Sequence, residues 1–151
     1  MKHVRRLTAM TLVLAFIFLL STSAFAVERV DGNLHTHGNV KLNTYLIGGD
    51  RSVTAYMDFV VPTGAGYDFS ATMVLTYTYC PEDAMRPLYY VTDTVSRSYD
   101  REDYGDMIHL ETDPIPTGYV IVEATCTFDA TITTPSGTFH CTPYDLTIYL
   151  T

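Results

Sequence analysis

The stretch "GYVIVEATCTFDATIT", residues 118–133, decides the fold because its apolar and polar side chains alternate over most of its length. Val120, Val122 and then every second residue to Ile132 are apolar, and Thr, Glu or Asp fills the positions between from Glu123 onward. Successive side chains of a β-strand point to opposite faces. The period of two therefore predicts a strand with one face in a core and the other in water.

The same period recurs along the chain, between turn segments rich in Gly, Pro, Asp and Ser. No amphipathic helix of useful length separates these runs, so the strands are expected to pair antiparallel. We predict an all-β fold, an antiparallel β-sandwich of about seven strands that is immunoglobulin-like in general architecture, with a small β-barrel as the alternative. The predicted strands cover residues 33–47, 52–61, 69–79, 88–98, 107–111, 118–132 and 138–150.

Two of the predicted strands carry features that bear on their position. The first is too long for an ordinary strand, and Gly38 with Asn39 should break or bend it, as in sandwiches whose first strand crosses between the sheets. In the strand 88–98, Asp93 lies on the same face as Val91 and Val95. An inward-pointing charge prevents edge-to-edge pairing with another molecule, so we place this strand at a sheet edge.

Residues 1–26 have the pattern of a signal peptide. Basic residues at positions 2, 5 and 6 precede the apolar run 7–20, and the small-x-small triplet 24–26 follows as a cleavage signal. The apolar run is shorter than the roughly 20 residues of a membrane-spanning helix, which disfavours the alternative of a permanent anchor. We predict cleavage after Ala26 and secretion to the outside of the cell, with a periplasmic or cell-surface location as the alternative.

The predicted mature chain, residues 27–151, has the size of one domain and is acidic. It would hold six basic and 17 acidic residues, a formal net charge of −11. Such a charge repels nucleic acids and anionic lipid surfaces, because both are bound largely through Lys and Arg. We expect no nucleic-acid partner and no membrane span after cleavage.

His35 and His37 are the first candidate metal ligands. Their spacing puts both imidazoles on one face of a strand, close enough to share Zn²⁺ or Cu²⁺. The same face would continue with Asn39, Lys41 and Asn43, which favours an ordinary solvated strand face over a metal site.

The acidic loop 100–111 is the second candidate. Taking Asp100 as position one of a calcium loop puts Glu102 at position three and Glu111 at position twelve. Tyr104 stands at position five, where a carboxylate or amide belongs, and predicted strands rather than helices flank the loop. A solvated acidic loop is the simpler interpretation.

The three cysteines form an odd set in a chain predicted to enter an oxidising compartment. We predict a disulfide between Cys126 and Cys141, with Cys80 to Cys141 and no bridge as the alternatives. A tight turn at residues 135–136 would offset Cys126 from Cys141 along their strands, so the bridge requires Pro143 to mark a bulge.

Reactive motifs are scarce. The sequence contains no Gly-x-Ser-x-Gly elbow, no phosphate-binding Gly-rich loop before a helix and no His-Glu-x-x-His. Paired carboxylates for glycoside hydrolysis stay open, since their separation in space is not readable from sequence. We therefore expect no enzyme activity and no cofactor.

Tyrosines are abundant, and four of them cluster at Tyr77, Tyr79, Tyr89 and Tyr90. Tyr is a strong strand former, so a role in filling the sheets is the default for these side chains. We expect a small exported non-catalytic module that binds or adheres to a protein or a surface glycan. The alternative is an exported metal-binding protein or enzyme that uses His35 and His37 or the acidic loop.

Overall fold

The computed structural model describes residues 27–61, 66–83, 90–101 and 106–150. The predicted signal peptide, residues 1–26, lies outside the described residues. Nine strands cover most of the described part: β1 (Glu28–Asp31), β2 (His35–His37), β3 (Val40–Gly49), β4 (Ser52–Val60), β5 (Asp68–Pro81), β6 (Val91–Asp100), β7 (Met107–Glu111), β8 (Tyr119–Thr134) and β9 (Gly137–Tyr149). No helix within these ranges is both long and apolar enough to cross a membrane.

The strands form two antiparallel sheets that pack as a sandwich. One sheet has five strands in the order β1-β3-β4-β7, with β2 pairing β3 beyond the end of β1, and the other has four in the order β6-β5-β8-β9. If β3 is counted as the first strand, the first, second and fifth strands are β3, β4 and β7, and they share one sheet. The third, fourth, sixth and seventh strands are β5, β6, β8 and β9, and they share the other sheet. This is the connectivity of immunoglobulin-like sandwiches. The predicted fold class is confirmed, and the barrel alternative is wrong because the two sheets do not close on each other.

The inward side chains of both sheets form one core. Its largest fully buried members are Tyr77, Phe59, Phe128, Leu42, Leu46, Met57, Met73, Leu75, Ile108, Ile121, Ile132 and Ile148. The alternation seen in the sequence holds along β3, β4 and β5 without interruption. Burial of these apolar surfaces is the main force that stabilises the sandwich.

The start of β8 departs from the predicted alternation. Ile121 is buried, whereas Val120 and Val122 are only partly buried. A register shift between Thr78 and Tyr79 explains this, because β8 has one residue more than β5 at that point. A bulge of this kind reverses which side chains face inward beyond it.

Gly38 and Asn39 do break the first predicted strand, but they do not send it to the other sheet. They form a two-residue turn that folds β2 back onto β3, with His37 opposite Val40. Gly38 has a φ of 57°, which a side chain would disfavour and which this kind of hairpin turn requires. The predicted break is therefore confirmed, but it makes a hairpin within one sheet, unlike the first strand of sandwiches in which that strand crosses between the sheets.

The edge position predicted for the strand that contains Asp93 is confirmed. β6 ends the four-stranded sheet, and Asp93 is exposed at its margin. The Tyr79 hydroxyl donates a hydrogen bond to the Asp93 carboxylate over 2.9 Å. This contact keeps the charge beside the core rather than within it.

Candidate functional site

The two candidate histidines face the core and not the solvent. Because His37 lies opposite the buried Val40 across a two-residue turn, its side chain points to the same side as that of Val40. The ring of His37 stacks on that of Phe139 at a centroid distance of 5.0 Å. His35 lies 5.1 Å from the ring of Tyr144. The interpretation of this face as solvated is wrong, since the hairpin turn exchanges the inward and outward positions.

The Nε2 atoms of His35 and His37 are buried and have no hydrogen-bond partner. Among the described residues, no group of three or more His, Cys, Asp or Glu side chains is arranged to hold a metal ion. His140, on the outer side of β9, is engaged with the Thr131 hydroxyl at 2.8 Å. The rings of both histidines pack between β2 and β9, against Tyr144 and Phe139.

The acidic candidates are separated by the fold. Asp100 ends β6 and Glu111 ends β7, in different sheets. Glu102 lies outside the described residues.

Asp106, at the other end of the acidic loop, is already paired within the protein. It accepts a 2.5 Å hydrogen bond from the Tyr67 hydroxyl, and Arg101 lies 3.5 Å away. The Arg101 guanidinium also covers the Tyr67 ring at 4.0 Å. Burial, followed by the hydrogen bond to Asp106, raises the pKa of Tyr67. These contacts tie the segments around residues 67, 101 and 106 together, which is a structural role.

The predicted bridge between Cys126 and Cys141 is not formed, and all three cysteines are free. Cys126 lies opposite Leu146, whereas Cys141 lies opposite Ala130, so the two thiols are far apart along neighbouring strands. Pro143 does mark a bulge in β9, but the bulge leaves this offset in place.

Burial raises the pKa of Cys126 to about 12 and also raises the pKa of Cys141. Both therefore behave as small apolar core residues.

The outer side of the four-stranded sheet is a mostly polar surface, which we call the threonine face; it also carries Val74, His140 and Tyr149. Hydroxyl side chains pair across its strands, for example Thr76 with Thr94 at 3.1 Å and Thr125 with Thr147 at 2.8 Å. Its outward strand residues include no Lys or Arg. The threonine face consists mainly of Thr72, Thr76, Thr78, Thr92, Thr94, Thr125, Thr127, Thr131, Thr133, Thr138 and Thr147, with the acidic residues Asp68, Asp100, Glu123, Asp129 and Asp145.

The outer side of the five-stranded sheet carries a row of large side chains. The Tyr45 and Tyr56 rings stack at a centroid distance of 4.7 Å and an interplanar angle of 14°. His109 lies beyond Tyr56 at 6.0 Å, and the Arg29 guanidinium covers the far side of Tyr45 at 4.1 Å. Burial, followed by the charge of Asp58, raises the pKa of Tyr45. We call this surface the aromatic face; its residues are Arg29, Asp31, Lys41, Asn43, Tyr45, Ile47, Thr54, Tyr56, Asp58, Val60, Met107, His109 and Glu111.

The aromatic face has exposed apolar side chains at one end and a hollow at the other. Val60 and Met107 are 43% and 54% exposed near the end of β4. At the β3–β4 turn, a hollow of about 380 Å³ is lined by Val27, Ile47 and residues 48–52 with Thr54. Gly49 lines this hollow, and a Cβ at that position would meet nothing within 4 Å.

Comparisons with protein-family models, with curated proteins and with solved structures find no match for this chain.

The tyrosines of the aromatic face were not among the predicted site residues. In the predicted cluster, Tyr77 and Tyr79 are buried, Tyr90 is exposed and Tyr89 lies outside the described residues. The sequence does carry a signal for the others, because Tyr45 and Tyr56 occupy the polar phase of their strands. A large aromatic residue at a position that alternation assigns to the outer face indicates that this face differs from a sheet surface of small polar side chains.

Proposed function

We propose that this protein is an exported, non-catalytic binding module that uses the aromatic face to bind a protein partner. The observation that carries the proposal is the difference between its two outer faces. Both face water on strands of the same sandwich, but only the aromatic face bears a continuous cross-strand row of Arg, Tyr and His; on the threonine face, Tyr149 and His140 lie apart along β9. Tyr and Arg are enriched at protein-binding surfaces.

The threonine face provides an internal comparison. β-Propensity alone does not require a row of aromatic residues on an outer sheet face, since threonine meets that requirement over most of the four-stranded sheet. The row from Arg29 to His109 is therefore an addition to what the fold demands.

The stacking geometry favours a protein over a glycan as the partner. One face of the Tyr45 ring is covered by Arg29, and its other face is covered by Tyr56. On the side of Tyr56 away from Tyr45, the His109 ring lies with its centroid 6.0 Å away, tilted by 34°. Sugars stack on open ring faces, whereas this row presents ring edges and hydroxyl groups, which suit the side chains and backbone of a protein.

Site-specific photo-crosslinking tests the proposal with a partner of any identity. A photoreactive amino acid would replace Asn43 or Thr54 on the aromatic face, or Thr76 or Thr127 on the threonine face as matched controls. All four positions are partly buried and lie on outward strand surfaces. In the exporting organism, we expect discrete crosslinked protein products from the first pair only. Equal yields from both pairs, or none from the first, would contradict the proposal.

A further inference from the structure

We propose that the partner bound by the aromatic face is a second copy of this chain. This inference rests on the proposed function and assigns the occupant of the same surface. Three properties of the face favour it: its arrangement along the strands, its charges and its area.

The aromatic face is self-complementary about its central row. Tyr56 is the middle residue of β4, Ser52–Val60, and it pairs with Tyr45 on β3. Two copies can stack face to face about a two-fold axis that lies between them, perpendicular to the strands and level with this row. Each half of β4 then lies over the other half of β4 in the second copy. The exposed Val60 of each copy then lies over Ser52 of the other, beside the hollow at Gly49. An isologous interface of this kind repeats every contact twice.

Charge also fits this arrangement. Lys41 pairs with Val60 across β3 and β4, so the same rotation brings Lys41 over Gly49 and next to Asp50. Opposite charges meet twice in the pair of copies, and the two Asp31 side chains, which meet in the central row, are each paired with Arg29 at 2.6 Å. Placed at the rim of the interface, such contacts fix register and orientation more than they add affinity.

The charges on the two outer faces favour self-association through the aromatic face over self-association through the threonine face. The aromatic face holds Arg29 and Lys41 against Asp31, Asp58 and Glu111, which leaves it close to neutral. The threonine face has five acidic residues and no Lys or Arg among its outward strand residues. Two threonine faces would repel each other, whereas two aromatic faces approach with little repulsion.

The area of the aromatic face predicts a weak, reversible pair. Four strands about 4.8 Å apart, with up to nine residues at about 3.3 Å each, give roughly 500 Å² per copy. A total near 1,000 Å² is at the lower limit for specific interfaces, so we expect association in the micromolar to millimolar range.

Analytical ultracentrifugation of the mature protein, from about 10 µM to about 1 mM, tests this inference. Two variants alter the contact without touching the core: Val60→Thr removes the apolar group, and Gly49→Val fills the hollow. Val74→Thr, on the threonine face, is the matched control. We expect a reversible monomer–dimer equilibrium whose dissociation constant rises about 100-fold in each variant, since ten-fold per side chain acts twice. The control should leave the constant unchanged.

The results separate this inference from the proposed function. A photoreactive residue at position 60 should capture the peptide that contains Gly49 from a second copy. A monomer at every concentration, or a Val74→Thr effect as large as that of Val60→Thr, would overturn the self-pairing. If that monomer still crosslinks from Asn43 and Thr54 to a different polypeptide, the proposed function stands and only the identity of the partner is wrong. If neither occurs, both fall.

Discussion

Replacing Gly32 with alanine should destabilise the protein by an amount set by one buried contact. A Cβ at position 32 would overlap the Thr44 hydroxyl and lie 3.1 Å from the Thr44 carbonyl oxygen and 3.4 Å from the Tyr144 hydroxyl. The backbone cannot easily withdraw, because the Gly32 amide donates a 2.7 Å hydrogen bond to the Thr44 carbonyl. Thr44 must therefore rotate and abandon the hydrogen bond that its hydroxyl shares with Tyr144.

The expected magnitude follows from these two effects. Overpacking of a well-filled site costs about 1–3 kcal/mol. Leaving a buried hydroxyl without its partner costs about 1–3 kcal/mol more. We expect a total loss near 3 kcal/mol of unfolding free energy, which corresponds to a fall in Tm of roughly 10 °C for a domain of this size.

Urea denaturation and thermal melting followed by circular dichroism measure this loss. Gly49→Ala is the matched control, because a Cβ there meets nothing within 4 Å. It should be neutral or slightly stabilising, since alanine reduces the freedom of the unfolded chain. Equal stability of the Gly32→Ala and Gly49→Ala variants would refute the packing of the β1–β2 connection on Thr44 and Tyr144.

Three further predictions concern the core. Phe128→Ala should lower the unfolding free energy by about 3–5 kcal/mol in urea denaturation, because Phe128 is fully buried and stacks on Tyr144; a loss below about 1 kcal/mol would place it outside the core. His37→Phe should leave stability unchanged or raise it by about 1 kcal/mol, because phenylalanine keeps the stacking on Phe139 and removes the unpaired buried Nε2; a clear drop in Tm would show that this nitrogen has a partner. Raising the pH above 9 should lower the unfolding free energy by about 1.4 kcal/mol per pH unit through Cys126, whose pKa of about 12 in the folded state exceeds its value of 9.0 in the unfolded chain. The folded state retains that proton while the unfolded state releases it, so a Cys126→Ala variant should show a shallower decline over the same range.

The sequence was sufficient to predict the sandwich because alternation is a local property of each strand. Residues 107–111 and the strand from 52 onward were placed within a residue of their observed bounds. β1 was missed because its four residues, ERVD, carry too few apolar positions to show a period.

The orientation of the histidines could not be predicted in the same way. His37 belongs to the inward or the outward phase depending on whether Gly38 and Asn39 continue the strand or reverse it, and periodicity does not distinguish the two. The predicted disulfide failed for a related reason. Whether Cys126 meets Cys141 depends on the register of a hairpin with a bulge, and register is set by contacts across the whole sheet.

The aromatic face could be predicted from the sequence only in part. Tyr45 and Tyr56 are in the polar phase of their strands, so their outward position was readable from the sequence. Their stacking with each other, with Arg29 and with His109 depends on cross-strand register in four strands, which no single stretch encodes.

The central claim is that one outer face of this sandwich binds a protein and the other does not. Hydroxyl-radical footprinting tests it most directly, because Met107 and Tyr149 are 54% and 65% exposed on opposite faces. In a dilute solution of the isolated protein, both residues should be oxidised. At high protein concentration, or in the presence of cells of the source organism, we predict that Met107 becomes protected while Tyr149 is oxidised as before. Protection of Tyr149 with no change at Met107 would contradict the account.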